Sequence, residues 1–353
     1  MKSIFIPFGS YENTTGGPST FMYNLNNYLD KENIRYHTKY KKGDSIFFPI
    51  TYSYDVLKEV KKNGGKIIQR LDGIYYPSKH GDKHIELNSD IKEIYLKYAD
   101  HIVFQSEYSR KQCFEMLGIK EQQNYSIIIN GVNKEIFIPD NNRTMSGIIE
   151  LVTTGNFRNI DMIEPVVLAL DTLAGKFDFH LNVIGPVVNE SLKSLLKRDY
   201  VVMRGLKTIY EIAEVLPNMD IFIYSHLNPP CPNSVIDAIS CGLPVVGFDS
   251  GAMSELCWFS KDILAYVSDD IFQKYEDFNP EALAEKIELC IDNCGYYRKL
   301  ALDHSHLYSF EECGKKYVEV FEKIINNETL HYKHHNSTLK KIIKKIQNII
   351  FKE

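Results

Sequence analysis

Short runs of β-branched and aromatic residues alternate with amphipathic segments along most of the chain, and this alternation constrains the fold more than any other feature. In the first half, five such runs predict buried strands at residues 3–8, 45–50, 66–69, 101–104 and 126–129. Amphipathic segments at 21–29 and 89–98 lie between them and predict helices. Because alternating strands and helices build parallel sheets, we expect an α/β fold with doubly wound sheets.

A polar stretch without periodicity, residues 139–146, interrupts this alternation and predicts an interdomain linker. A second series of predicted strands follows at 150–154, 179–184, 200–203, 220–224, 244–248 and 264–267. With 353 residues, the chain is long enough for two domains. We expect Rossmann-like domains at 1–140 and 147–309, a helical segment at 310–330 and a tail at 331–353. Ligands of such sheets bind beyond the carboxyl ends of the strands, which predicts a site in the cleft between the domains.

Charge and cysteine usage exclude several classes of protein. The formal net charge is -5, which argues against a protein that neutralises duplex nucleic acid. The 7 cysteines form no C-x-x-C pair, which favours a reducing compartment over a disulfide framework or a zinc knuckle. No apolar stretch approaches the roughly 18 to 20 residues that span a bilayer. We therefore expect a cytoplasmic protein.

The tail combines apolar and basic residues at helical spacing. Isoleucines and Leu339 fall on one face of a helix over residues 337–352, and four lysines fall mostly on the other. A basic amphipathic helix of this kind binds anionic membrane surfaces. The tail therefore predicts peripheral attachment to the inner face of the membrane; packing onto the protein itself or onto a partner is the alternative.

A glycine pair lies between the first predicted strand and the first predicted helix. Gly16 and Gly17 permit a tight turn that brings helix-terminal amides to the cleft, and Pro18 suits the first helical turn. We expect this turn to contact a donor ligand. A plain strand-to-helix turn is the alternative.

The most informative segment is a proline-rich loop that leads into a short helix at residues 228–246. Prolines up to Pro232 prevent the helix from starting earlier, so the free amides near Asn233, Ser234 and Val235 are expected to face a diphosphate. One turn later, Asp237 is positioned to accept hydrogen bonds from a ribose diol. The alternative is a capped core helix with a surface aspartate.

The chain resembles glycosyltransferases of family 4, the retaining nucleotide-sugar enzymes with the GT-B fold. The similar segments are GGPSTFMYNL (16–25), HIVFQSEYS (101–109), INGVNKEIFIP (129–139), CPNSVIDA (231–238) and CGLPVV (241–246). The resemblance implies that a nucleoside-diphosphate sugar binds mainly to the second domain, as a substrate and without a separate cofactor. It also implies that the helix at 310–325 crosses back to the first domain.

The chain departs from the family pattern at two places. The E-x7-E motif of the family ends at Asp237, but its first glutamate is replaced by Pro229. The family uses a pair of basic residues at the departing diphosphate. At this place the chain has one arginine, Arg158, which is expected to act alone or with Arg204 or Lys207. For Arg158, an ordinary surface position is the alternative.

Arg70 and Asp72 directly follow a predicted strand, where the family often has a histidine that faces the donor sugar. Asp72 is expected to position acceptor or donor hydroxyls, and Arg70 to pair with a carboxylate or a phosphate. The alternative is a salt bridge that only holds the loop.

The sequence predicts a glycosyltransferase that works with retention and without a metal ion. No Asp-x-Asp triplet that could hold Mg²⁺ or Mn²⁺ occurs in the sequence. The expected acceptor is a glycan or a lipid-linked sugar, in surface polysaccharide or glycoconjugate assembly. Two alternatives are a noncatalytic nucleotide-sugar-binding partner and a sugar-nucleotide epimerase of the same fold.

Overall fold

A computed structural model describes residues 3–7, 17–119, 124–145, 147–188 and 190–326. The described residues form two six-stranded sheets, one in each half of the chain, and every strand pairing is parallel. The first sheet has the order β2-β1-β3-β4-β5-β6. Its strands are β1 (Ile4–Phe5), β2 (Tyr36–His37), β3 (Ser45–Pro49), β4 (Ile67–Leu71), β5 (His101–Phe104) and β6 (Tyr125–Ile127).

The second sheet has the order β12-β11-β10-β7-β8-β9. Its strands are β7 (Ile149–Thr154), β8 (Phe179–Ile184), β9 (Val201–Gly205), β10 (Ile221–Tyr224), β11 (Val245–Phe248) and β12 (Leu264–Ala265). Strands β10 and β11 are buried along their whole length, which explains their continuous apolar sequences.

Helices connect the strands in both halves. The helices of the first half are α1 (Gly17–Lys31), α2 (Tyr54–Lys62), α3 (Pro77–His80), α4 (His84–Leu87), α5 (Ser89–Lys97) and α6 (Glu107–Leu117). Those of the second half are α7 (Glu164–Leu173), α8 (Glu190–Leu195), α9 (Ile209–Val215), α10 (Asn233–Ser240), α11 (Met253–Leu256), α12 (Pro280–Asp292), α13 (Cys294–His304) and α14 (Phe310–Ile325). The predicted α/β fold with two parallel sheets is confirmed.

All eleven strands that the sequence predicts correspond to strands of the structure, with ends that shift by a few residues. Strand β2 was not predicted. It has only two residues, both half-buried, so it has neither the length nor the apolar character that marks a buried strand.

The chain crosses between the two domains twice, and the two crossings contact each other. Val132 donates its N–H to the carbonyl of Tyr308 over 2.9 Å and accepts from the N–H of Phe310 over 2.8 Å. Gly131 permits this approach, because a Cβ atom there would lie 2.6 Å from the carbonyl oxygen of Ser309. The two connections therefore form one hydrogen-bonded junction.

The first crossing occurs earlier in the chain than the expected linker at 139–146. Val132 and Phe137 already belong to the apolar core beneath the second sheet. Arg143 extends this attachment through an ion pair with Asp220, 2.9 Å long. A polar composition made 139–146 look like a linker, whereas the residues that leave the first domain are those around Asn130.

After the second crossing, α14 packs on the first domain. Phe310, Tyr317 and Phe321 join the apolar cluster that contains Phe21 of α1 and Phe47 of β3. The first core is therefore built from the beginning and the end of the described chain.

Candidate active site

A cleft of about 270 Å³ lies between the two domains, where loops follow the carboxyl ends of β4 and β10. The first domain contributes Asp72, Tyr76 and Gln112 to its walls, and the second domain contributes Asn228 and Pro230. The volume is near the lower limit of about 300 Å³ that is typical of small-molecule sites. Its position agrees with the expectation for open parallel sheets.

Direct contacts hold the two domains together at the edge of this cleft. Ser106, the residue that caps α6, donates its hydroxyl to the carbonyl of Pro230 over 2.5 Å. The ring of Tyr76 stacks on that of Phe272, with 5.3 Å between the centroids. The proline-rich loop of the second domain is therefore fixed directly against the first domain.

A carboxylate of the second domain also binds the start of α6. Glu255 accepts hydrogen bonds from the backbone N–H groups of Glu107 and Tyr108, at 2.9 and 2.6 Å. Burial raises the pKa of Glu255, although these two hydrogen bonds favour its charged form. The positive end of the helix thus compensates a buried carboxylate across the domain interface.

The side chain of Arg70 is buried and contacts other groups on every side. Its guanidinium pairs with the carboxylate of Asp72 and donates to the Tyr317 hydroxyl over 2.9 Å and to Asn130 Oδ1 over 2.7 Å. It also lies over the ring of Phe21, 3.6 Å from the centroid. This geometry favours the alternative reading of Arg70, a salt bridge that holds the loop, because a phosphate would have to displace one of these partners.

Asp72 lies at the boundary between this cluster and the cleft. Its side chain is 3% exposed, yet it lines the cleft. Burial raises the pKa of Asp72 to about 6, and the charge of Arg70 opposes that rise. A buried carboxyl group beside a cleft is able to accept a hydrogen bond from a hydroxyl group bound there.

Helix α10 begins where the sequence predicts, directly after Pro232. The amides of its first turn, at Asn233 and Ser234, precede the point at which intrahelical hydrogen bonding begins. Asn233 Oδ1 accepts a hydrogen bond of 2.8 Å from Asn130 of the first domain. Val235 is buried, and its N–H bonds the carbonyl of Pro232 over 3.2 Å. The residues that we expect at the diphosphate therefore lie at the domain interface.

Asp237 lies one turn further along α10 and is only partly exposed. Burial raises its pKa to about 8. A hydrogen-bond donor placed beside this carboxyl group would offset part of the cost of burial.

The predicted basic residues are distributed over the second domain. Arg158 is exposed in the loop after β7. Arg204 donates to Asn182 Oδ1 over 2.9 Å, and Lys207 pairs with Glu211 over 3.3 Å, so both are engaged within their own domain. Two other predicted features lie partly or wholly outside the described residues. Of the predicted glycine pair, Gly17 is the first residue of α1, and Gly16 lies outside the described residues. The tail at 331–353 also lies outside them.

Pro229 stands where the resemblance places the first motif glutamate, and local contacts fix it. Its carbonyl accepts the N–H of Ala252 over 2.8 Å. The neighbouring Asn228 has a φ of 48° and exchanges two hydrogen bonds with the backbone of Gln273, at 3.0 and 3.1 Å. This loop therefore has a defined shape without a carboxylate.

Two residues near the cleft were not predicted. Asn130 joins the Arg70 cluster to Asn233, a link between distant positions that no local pattern indicates. His226 follows β10, and burial lowers its pKa to about 4, so its imidazole is neutral at ordinary pH. Gly155 makes room for it, because a Cβ atom there would lie 2.9 Å from the ring.

Two searches of the described residues gave no candidates. Within the ranges that the structure describes, no group of three or more His, Cys, Asp or Glu side chains is suited to bind a metal ion. Over the same part of the chain, no helix has the length and apolar character needed to cross a bilayer.

One family model matches part of the second half of the chain. Residues 149–293 match the family model described as glycosyl transferases group 1. No curated protein matches the chain significantly.

Solved structures resemble nearly the whole chain. Sucrose-phosphate synthase from Thermosynechococcus elongatus is 12% identical with a TM-score of 0.69, over 93% of this chain and 100% of that one. Anabaena HepE in complex with UDP is 13% identical with a TM-score of 0.67, over 92% and 100%. WaaG, a glycosyltransferase involved in lipopolysaccharide biosynthesis, is 12% identical with a TM-score of 0.62, over 90% and 99%. Residues 149–293 are therefore similar to the group 1 glycosyl transferases, in a chain that has the GT-B fold.

Proposed function

We propose that this protein is a glycosyltransferase that moves a sugar from a nucleoside-diphosphate sugar to a glycan or lipid-linked acceptor. The observation that carries the proposal is the start of α10 at the interdomain cleft, inside the segment that matches the group 1 glycosyl transferases. The amide groups of a helix N-terminus bind phosphate well. A donor with two phosphates is the ligand class that this arrangement suits best.

The donor residues proposed are Asn233, Ser234 and Val235 at the diphosphate, Val235 only through its place in the first turn of α10 since its N–H is bonded to Pro232, and Asp237 at the ribose. UDP is the first nucleotide to test, because the similar Anabaena HepE was solved with UDP and with UDP-glucose. The pneumococcal O-GlcNAc transferase GtfA was likewise solved with UDP and GlcNAc. The turn at Gly16 and Gly17 is proposed to contact the same ligand.

We propose that transfer proceeds with retention and without a metal ion. An oxocarbenium-like transition state leaves charge on the departing diphosphate, and helix amides with one arginine are able to stabilise that charge. Arg158 is the proposed arginine. Arg70 is proposed to act by holding Asp72, whose carboxyl group faces the reacting sugars.

Surface polysaccharide or glycoconjugate assembly is proposed from the family resemblance, and WaaG, a similar structure, acts in lipopolysaccharide biosynthesis. The proposed contact of residues 337–352 with an anionic membrane surface rests on the sequence pattern alone.

A thermal-shift screen tests the donor site without knowledge of the acceptor. The chain is heated with UDP, GDP, ADP, CMP and their sugar conjugates, with and without EDTA, beside the Asp237→Ala variant. One nucleotide should stabilise the wild type by about 2.7 kcal/mol at 100 times Kd, should be indifferent to EDTA, and should have a weaker effect on the variant. If no nucleotide stabilises the chain, the proposed function is wrong.

Product analysis then separates the proposed reaction from its alternatives. Transfer of the sugar to an added acceptor supports the glycosyltransferase. Donor binding without turnover identifies a noncatalytic partner, and conversion of the donor sugar without an acceptor identifies an epimerase.

A further inference from the structure

One polar atom in the wall of the cleft has no partner. Gln112 of α6 is 1% exposed and lines the cleft, and its Oε1 receives no hydrogen bond from the residues that the structure describes. A buried amide oxygen without a partner costs about 1 to 3 kcal/mol, so such an atom needs a partner from outside the described residues. The missing partner must be a hydrogen-bond donor.

The neighbouring Tyr108 determines how the Gln112 amide is oriented. The Tyr108 hydroxyl donates its single proton to the carbonyl of Ile271 in the second domain, over 2.8 Å. It therefore has only lone pairs to offer Gln112, whose Nε2 lies 3.3 Å away and must act as the donor. This fixes Oε1 on the opposite side of the amide.

A second oxygen without a hydrogen-bond donor lines the same cleft. Asp72 pairs with Arg70 through Oδ2, whereas its Oδ1 is buried and receives no hydrogen bond from the described part of the chain. Gln112 and Asp72 thus line one cleft, and each has an acceptor oxygen that receives no hydrogen bond from the described residues. Sugar hydroxyl groups supply donors of this kind.

We infer that Gln112 is an acceptor-binding residue, whose Oε1 accepts a hydrogen bond from a hydroxyl group of the acceptor sugar beside Asp72. This inference rests on the proposed function, which supplies the need for an acceptor. Tyr108 is a positioning residue, because its bond to Ile271 exists only when the two domains are in contact. Domain closure therefore orients the Gln112 amide for the acceptor.

Ligand-observed NMR tests the inference with four probes: the methyl glycosides of glucose, galactose and mannose, and N-acetylglucosamine. Each is titrated into the full chain saturated with UDP. At least one should bind the wild type, and its affinity should fall about three- to tenfold in Gln112→Met, which keeps the side-chain length but removes the amide, both Oε1 and the Nε2 that donates to Tyr108. Lys111→Met, at an exposed position on the same helix, should leave the affinity unchanged.

Tyr108→Phe tests the positioning role. It removes the bond to Ile271 and frees the Gln112 amide to rotate, so the probe affinity should fall by a similar factor. Tyr40→Phe is the matched control. Tyr40 also donates to a carbonyl and accepts from an amide, those of Glu59 and Asn63 at 3.5 and 3.0 Å, but entirely within the first domain.

A measurement on the wild type covers the case in which Gln112→Met does not fold. The side-chain amide resonance of Gln112 should shift on titration with the probe that binds. The inference is overturned if no probe binds the wild type, if this resonance does not move, or if both variants bind as the wild type does. Stabilisation by UDP is scored separately, so loss of the donor site and loss of the acceptor role give different results.

Discussion

The hydroxyl of Tyr317 is the only hydrogen-bond acceptor described for Arg70 Nε. Both side chains are buried. Tyr317→Phe leaves the guanidinium short of one partner in an apolar surrounding. We expect a loss of about 1.5 to 3 kcal/mol in the free energy of unfolding, measured in urea, since hydrogen bonds to charged groups have this magnitude. Tyr36→Phe, which removes a solvent-exposed 3.4 Å bond from this half-buried ring to Asp30, should cost below about 0.5 kcal/mol. Equal losses would contradict the assigned role of the cluster.

The carboxyl group of Asp237 makes stability depend on pH. Its pKa is about 8 in the folded chain and about 3.9 in an unfolded chain, so the folded state binds the extra proton between these values. The contribution is complete below about pH 4 and is lost as pH rises towards 8, by at most about 1.4 kcal/mol per unit. We measure the free energy of unfolding in urea between about pH 4 and pH 8. In Asp237→Asn, the decrease of this free energy with rising pH that comes from Asp237 should be absent. Asp82→Asn, at an exposed position, should show the same pH dependence of the free energy of unfolding as the wild type.

At the scale of the element, Ser106 and Thr208 have similar places but different second partners: the Thr208 hydroxyl donates to Glu211 at an exposed site of its own helix, whereas the Ser106 hydroxyl donates to the other domain. Both cap a helix with the side-chain oxygen, α6 and α9 respectively, but only Ser106 also bonds the other domain. Removal of a cap costs about 1 kcal/mol, and the lost interdomain bond adds a similar amount. We expect Ser106→Ala to lower the free energy of unfolding about twice as much as Thr208→Ala. Similar losses would show that the bond to Pro230 contributes little.

At the scale of the whole molecule, the junction of the two crossings depends on Gly131. The Cβ atom of Gly131→Ala would lie 2.6 Å from the carbonyl oxygen of Ser309 and 2.7 Å from the Cα of Phe310, both backbone atoms that cannot rotate away. We expect the two connections to separate, with a lower melting temperature and a larger radius of gyration in X-ray scattering. Gly295→Ala, in α13 with open space around it, should instead stabilise by about 0.5 to 1 kcal/mol. An unchanged radius for Gly131→Ala would count against the junction.

The sequence predicted the sheets well because central parallel strands are continuous apolar runs, and β5 and β8 have the predicted ends. It placed α10 after Pro232 for the same kind of local reason. The partners of Arg70 were beyond reach, since Tyr317 lies 247 positions away and nothing local pairs them. Gln112 likewise reads as an ordinary polar helix residue until the second domain contacts Tyr108.

The return of α14 to the first domain determines the order in which the chain completes its cores during synthesis. The ribosome makes residues of the first sheet early, but Phe310, Tyr317 and Phe321, which cover that sheet, emerge only after the whole second sheet. The second domain is thus able to fold before the residues of α14 pack on Phe21 and Phe47. In the nascent protein, the half of the chain that is synthesised first is therefore the half whose core is completed last.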